Sequence, residues 1–278
     1  MRPNLSYVAG QVRRFDHDRY LTSLFAPDGR REDLLALYAF NIEIAKTREV
    51  VSEPMLGEIR LQWWRDAVAA IAAATPPAHE VVEALAGAIR RHGLPQDDFI
   101  RLIDARAFDL GDEPPEDLAA LERYAEESAA PLVSLALRIL GAWQPELAPL
   151  ARHAGIATAL IGLIRAVPFH ARQKRLYLPR DFTRTLVPRT LFELTPSAPL
   201  AEAVMRVAAS ARRHVDAARR LAHDSPRGGL AALLTVTLAD AYLRRLDRVS
   251  GDPFDPRLAI SAPRRLVRLA WAATRGRV

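Results

Sequence analysis

The chain contains no cysteine, which excludes disulfides, thiolate nucleophiles and cysteine-held zinc or iron–sulfur centres. Lysine is nearly absent: Lys46 and Lys174 are the only two, and arginine supplies the other 37 of the 39 basic residues. These arginines are scattered along the sequence among 33 acids, with no basic run interleaved with aromatics, which argues against a nucleic-acid partner despite the net charge of +6. The dinucleotide, P-loop, serine-hydrolase and zinc-protease signatures are all missing, and the seven histidines do not fall at metal-ligand spacing. Residues 1–7 lack an apolar leader core. The apolar stretches at 132–143 and 154–167 are short and interrupted by Arg138 and Arg165, so both read as buried helices and the chain as cytoplasmic. Runs of β-branched residues between turn dipeptides are also lacking.

What is present repeats at helical spacing, which predicts an all-α chain. Residues 30–51 place Leu34, Leu37, Tyr38, Asn41, Ala45 and Arg48 on one face, and Ser52-Glu53-Pro54 reads as a stop and a new start. Residues 55–74 carry the stripe Leu61, Trp64, Val68 and Ile71. Further helices are expected at 79–92, 96–110, 116–141, 146–167, 200–223, 228–249 and 256–274, with 173–199 an irregular connection. No break is long or polar enough for a linker and no fixed-period repeat occurs, so residues 1–278 read as one bundle domain large enough to enclose a cavity. Asp97 and Asp98 follow Pro95 as a first-turn pair.

Several segments, in order, resemble the squalene and phytoene synthases. RREDLLALYAF (30–40) is similar to the opening of that family's first catalytic helix. LIDARAFDL (102–110) resembles its central "LIDGMxxDL" segment, and YAEESAAPL (124–132) sits where the family has "YCxxVAGxVG". GIATALIGLIR (155–165), followed by ARQKRLYLP (171–179), resembles the second catalytic helix and its "RxYLP" exit. The matches run from about residue 20 to 180. The resemblance implies the all-α isoprenoid-synthase bundle around a central cavity.

The family's reaction ionises a prenyl diphosphate, using magnesium held between two "DxxxD" motifs on facing helices. Carboxylates at i and i+4 share a helix face and are the hard oxygen donors that magnesium takes. Here the first motif falls on AKTRE (45–49): Ala45, Lys46 and Glu49 occupy its positions, and only Glu49 is acidic. The second falls on AVPFH (166–170), where Ala166, Phe169 and His170 leave no carboxylate. Lys46 and Arg48 beside the expected metal reverse a Coulomb term on the order of 10 kcal/mol at close range. Neither metal nor any other cofactor is therefore expected. Pro168 cannot donate to the carbonyl of Ile164, which predicts a helix kinked or ended there.

Gly155, Ala159, Gly162, Ala166 and His170 form a stripe of small residues up to its last member, readable as close helix packing or as the wall of a cavity. His170 itself reads as a packed or solvated side chain, with a ligand or base role as the alternative. Lys46, Arg48, Arg165, Arg172, Lys174 and Arg175 form either a solvated rim or a metal-free site for an anionic head group. By resemblance Arg165, Arg175 and Tyr177 match positions the family retains, and Tyr38 and Asn41 share the face of Arg48.

A subgroup of the family lacks the aspartate motifs and includes an assembly factor for mitochondrial respiratory complex I; EPMLGEIRLQWWRD (53–66) is similar to its most recognisable segment. Trp63 and Trp64 point about 100° apart on a helix, so one is core and the other packs on a flanking helix, with an interface role as the alternative. The basic C-terminal helix reads as packed with arginines outward, or as lying on an anionic membrane. The resemblance implies a non-catalytic, complex I assembly-type or isoprenoid- or lipid-binding protein. It would partner a respiratory-complex subunit and could contact the inner face of the membrane peripherally. The alternative is an active prenyltransferase with an altered site built from Arg165, Arg175 and Glu49.

Overall fold

A computed structural model describes residues 5–223 and 225–278; residues 1–4, part of the segment 1–7 read above, and Asp224 lie outside it. Among the described residues every regular element is helical. In chain order they are α1 (Tyr7–Phe15), α2 (His17–Ser23), α3 (Asp28–Ala45), α4 (Thr47–Val50), α5 (Pro54–Ala72), α6 (Glu80–His92) and α7 (Gln96–Ala105). Then follow α8 (Leu118–Ile139), α9 (Ala148–Arg172), α10 (Arg180–Thr183), α11 (Pro188–Phe192), α12 (Ala198–Ala222), α13 (Leu230–Arg248) and α14 (Ala262–Arg275). Side-chain caps fix several starts: Ser6 Oγ accepts from the Ala9 amide at 3.1 Å, Asp16 from Arg19 at 3.0 Å and Asp117 from Ala120 at 2.7 Å. Pro54 occupies the first turn of α5, as the Ser-Glu-Pro break predicts.

α9 is the central helix, packed by α8, α12 and α13. By length and composition residues 145–172 could cross a membrane, but more than half of that window is covered by the neighbouring helices. The second half of the bundle, α3 with α1, α5, α6 and α7, leans on the other side of α8. One apolar core runs from Val8 to Ala272. Trp64 is fully buried and meets the Phe40 ring edge-on at 5.4 Å, while Trp63 stays partly exposed against Trp64 and His79. The Leu61, Trp64, Val68 and Ile71 stripe is buried as expected.

Five expectations need correction. The first helix breaks at Lys46, giving α3 and α4, and α3 is buried almost all round because it is sandwiched among α1, α6 and α8. The helix at 96–110 stops at Ala105, and a 3₁₀ turn, Arg106–Leu110, follows. Residues 7–23 form two helices with no counterpart in the sequence reading, and the connection at 173–199 contains α10 and α11. α14 starts at Ala262, after a separate 3₁₀ turn at Pro256–Leu258. Finally α9 does not end at Pro168 but runs to Arg172, because Val167 and Ala171 on either side are buried and dock its last turn.

Both readings of the small-residue stripe hold, at different heights. A Cβ on Gly155 would lie 2.6 Å from the Ala130 amide nitrogen and 2.8 Å from the Ala129 carbonyl carbon, so α8 and α9 touch backbone to backbone there. A Cβ on Gly162 would meet nothing within 4 Å, because the helices have parted around a cavity. Gly155→Ala is expected to destabilise the fold by about 1–3 kcal/mol, since the obstructing atoms are backbone. Gly162→Ala should be neutral or stabilising by up to about 1 kcal/mol from helix propensity. Urea unfolding of the two variants measures the contrast.

Candidate functional site

Where α8 and α9 separate, the 3₁₀ turn, α4 and the exit of α9 close over a cavity of about 270 Å3. Its organising group is the Asp109 carboxylate, buried on the turn. Asp109 Oδ1 accepts the Tyr124 hydroxyl at 2.7 Å and the Tyr177 hydroxyl at 2.8 Å, and Oδ2 lies 3.5 Å from Arg106 Nη1. Arg106 also donates to the Tyr124 oxygen at 3.0 Å and to Asn41 Oδ1 at 3.4 Å. Arg175 donates to the backbone carbonyls of Asp109 and Gly111 at 2.5 and 2.6 Å, pinning the turn to the chain leaving α9. Burial, reinforced by the Asp109 charge, holds the Tyr124 and Tyr177 phenols well above their ordinary range, so both stay neutral donors. Burial works against the Arg106 charge, but the Tyr124 and Asp109 oxygens outweigh it and raise its pKa.

Four arginines, Arg19, Arg48, Arg106 and Arg175, line this cavity against the carboxylates Glu49 and Asp109. Burial raises the Glu49 carboxyl; Lys46 opposes that shift and Asp109 adds to it. His170 lies against Tyr177 with ring centres 4.5 Å apart, and its buried Nδ1 has no hydrogen-bond partner. Burial pushes its pKa down to about 4, so the imidazole is neutral at pH 7. A second cavity of about 170 Å3 abuts the first, sharing Arg19, Thr158 and Gly162 as a wall. On its far side Asp18 is clamped by Arg165 at 2.7 Å and by Arg265 of α14, and Arg165 lies 3.8 Å from the Tyr242 ring centre.

A squalene/phytoene synthase family model matches residues 12–267. The chain belongs to the squalene/phytoene synthase family. Within it, the Bos taurus protein named NADH dehydrogenase (ubiquinone) complex I, assembly factor 6, is 31% identical over 254 residues, covering 91% of this chain and 76% of that protein. The Homo sapiens counterpart is 29% identical with the same coverage. A presqualene diphosphate synthase from Sinorhizobium fredii is 27% identical over 164 residues, 58% of each chain. Crystal structures share the fold. A dehydrosqualene synthase aligns with a TM-score of 0.82 at 17% identity, over 97% of this chain and 95% of its own. Squalene synthase HpnC from Alicyclobacillus acidocaldarius gives 0.76 at 20%, over 88% and 94%.

The magnesium that the family resemblance implies does not fit this donor set. Of the two cavity carboxylates, Asp109 already takes two phenols and a guanidinium, leaving Glu49 in a cavity that four arginines line. Among the described residues no group of three or more histidine, aspartate or glutamate side chains is placed to hold a metal. Ala45 and Glu49 do face Ala166, Phe169 and His170 across the cavity, whereas Lys46 turns away to the Phe15 ring at 3.3 Å and to Glu43 at 3.7 Å.

Of the expected anion-binding residues, the fold gathers Asn41, Arg48, Arg175 and Tyr177 around the main cavity. Arg48 keeps a loose pairing with Asp112 at 3.5 Å. Arg165 lies in the second cavity, engaged with Asp18. Tyr38 is buried under Arg19 and lines neither cavity, and Arg172 and Lys174 are exposed at the end of α9 and the turn after it. The hub residues Arg106, Asp109 and Tyr124, and Arg19, had no role in the sequence reading. The available signal was an arginine and an aspartate three apart at the end of an apolar helix, followed by a tyrosine inside another family-like segment.

Tyr124→Phe leaves the buried carboxylate one donor short, at a cost of about 1–3 kcal/mol in denaturant unfolding. His170 binds a proton less readily folded (about 4) than unfolded (ordinary value 6.5). Stability from this group is therefore present above pH 6.5 and is lost as the pH falls toward 4. In His170→Gln, the slope of unfolding free energy against pH in that window should drop by up to about one proton equivalent.

Proposed function

We propose that this chain is a non-catalytic squalene/phytoene synthase-like factor that supports assembly of respiratory complex I and holds an anionic ligand of the isoprenoid or lipid class. The observation that carries this reading is the cavity wall: four arginines meet one uncommitted carboxylate, a setting suited to a phosphate or carboxylate and hostile to the divalent ions that would assist a leaving diphosphate. The volume, about 270 Å3, lies just below the usual range for ligand pockets and suits one modest ligand better than two condensing prenyl chains. The relatives named as complex I assembly factor 6, matched along 91% of this chain, support the assembly role.

Purified protein mixed with farnesyl or geranylgeranyl diphosphate and magnesium is expected to release no diphosphate. Release at ordinary turnover, abolished in Arg175→Ala, would instead establish a prenyltransferase with an altered site. Deleting the gene in its host should lower the amount of assembled NADH:quinone oxidoreductase on native gels, with recovery on complementation. Unchanged assembly would remove the assembly role.

A further inference from the structure

We propose that the groove between α13 and α14 docks the head groups of an anionic phospholipid bilayer; the inference does not depend on the cavity or on complex I. The groove encloses about 940 Å3. Eight arginines line it against one acid, Asp240, which Arg219 and Arg244 already hold at 3.0 Å each. That lining is more positive than the whole chain's net charge of +6, so the rest of the molecule is close to neutral and the field is concentrated here. No acid occurs in residues 256–278. Arg248, Arg264, Arg268 and Arg277 are exposed and reach no carboxylate among the described residues. Arginines that look dispersed in sequence thus converge in space without counter-ions. Guanidinium forks match phosphate oxygens, and a phosphate layer would relieve their mutual repulsion.

The apolar side chains identify which phosphates fit. Val267 is 70% exposed and Trp271 is 58% exposed in the middle of this arginine field. Positions 264, 267, 268, 271 and 275 share the outward face of α14, Ala272 lies buried at the floor of the groove and Leu269 is buried on the inner face. The Arg275 guanidinium sits 3.6 Å from the Trp271 ring centre, so charge and aromatic surface are presented together. A soluble polyanion has no use for an exposed valine, and an aliphatic side chain offers a nucleic acid base nothing to stack on. A bilayer interface takes both: phosphates at the level of the arginines, and the hydrocarbon edge a few ångströms deeper for Val267 and Trp271.

The test is co-sedimentation of the full chain with phosphatidylcholine vesicles, with and without phosphatidylglycerol. Binding is expected to the anionic vesicles alone and to weaken with salt. The variant Arg248→Gln/Arg264→Gln/Arg268→Gln should lose about a hundredfold in partitioning, from the contribution of each cation near a charged surface. Exposed arginines outside the groove, changed as Arg90→Gln/Arg123→Gln/Arg184→Gln, should cost less than about threefold. Trp271→Ala should cost at least about fivefold even in high salt. All these side chains are exposed, and thermal unfolding verifies that each variant folds. No binding of the wild type to anionic vesicles overturns the proposal, as does an equal loss in the two triple variants. Undiminished binding by Trp271→Ala, with vesicles displaced by inorganic triphosphate or a DNA oligonucleotide, also overturns it by establishing a site for soluble polyanions.

Discussion

The architecture of the site depends on satisfying one buried carboxylate. Asp109 sits at the junction of three elements and bonds to each: the 3₁₀ turn that carries it, α8 through Tyr124, and the exit of α9 through Tyr177 and Arg175. An isolated buried carboxylate costs far more than the fold can sustain, and here two neutral phenols and one guanidinium replace its water. The phenols donate without adding charge of their own, and the guanidinium of Arg106 lies 3.5 Å from Oδ2. With those three points tied, α8 and α9 are in backbone contact at Gly155 and apart by Gly162, and the gap between them becomes the cavity.

The electrostatics around that cavity set apart two kinds of arginine. Arg106 and Arg175 are tied into the hub, Arg106 through Nη1 and Nη2 to tyrosine, carboxylate and carboxamide oxygens and Arg175 through Nη2 to two backbone carbonyls. Arg48 is held only by an exposed Asp112 at 3.5 Å and so retains donors for an incoming anion. Arg19 is intermediate, paired with Asp16 at 2.5 Å at the wall between the two cavities. His170 adds shape without charge, because burial keeps it neutral. The result is a pocket whose polarity is inverted relative to one built to collect divalent cations.

How much of this was legible in the sequence follows from the range of each interaction. Long helices were readable because their apolar periodicity is local, as in the Leu61, Trp64, Val68 and Ile71 stripe. α1 and α2 escaped because they are short and interrupted by charge at Arg13, Arg14 and Asp16, and the break at Lys46 escaped because nothing in AKTRE stops a helix. Pro168 misled because its missing donor is a local cost that the docking of Val167 and Ala171 overrides. At the site, Asn41, Arg48, Arg175 and Tyr177 could be named from family-like segments. The Asp109 hub could not, because its partners lie 15, 66 and 68 residues away and meet only in the folded chain.

The Asp18 clamp joins the two ends of the molecule. Arg165 from the central helix and Arg265 from α14 converge on this one carboxylate from opposite sides, with Tyr242 between them. Burial opposes its charge, yet the two arginines hold the carboxyl below its ordinary range. Were that anion lost, the guanidiniums of Arg165 and Arg265 would be left close together at the seam without their shared counter-ion. Asp18 therefore works as a latch, a polar tie from near the start of the chain that adds to the packing of Leu269 and Ala272 in seating the last helix.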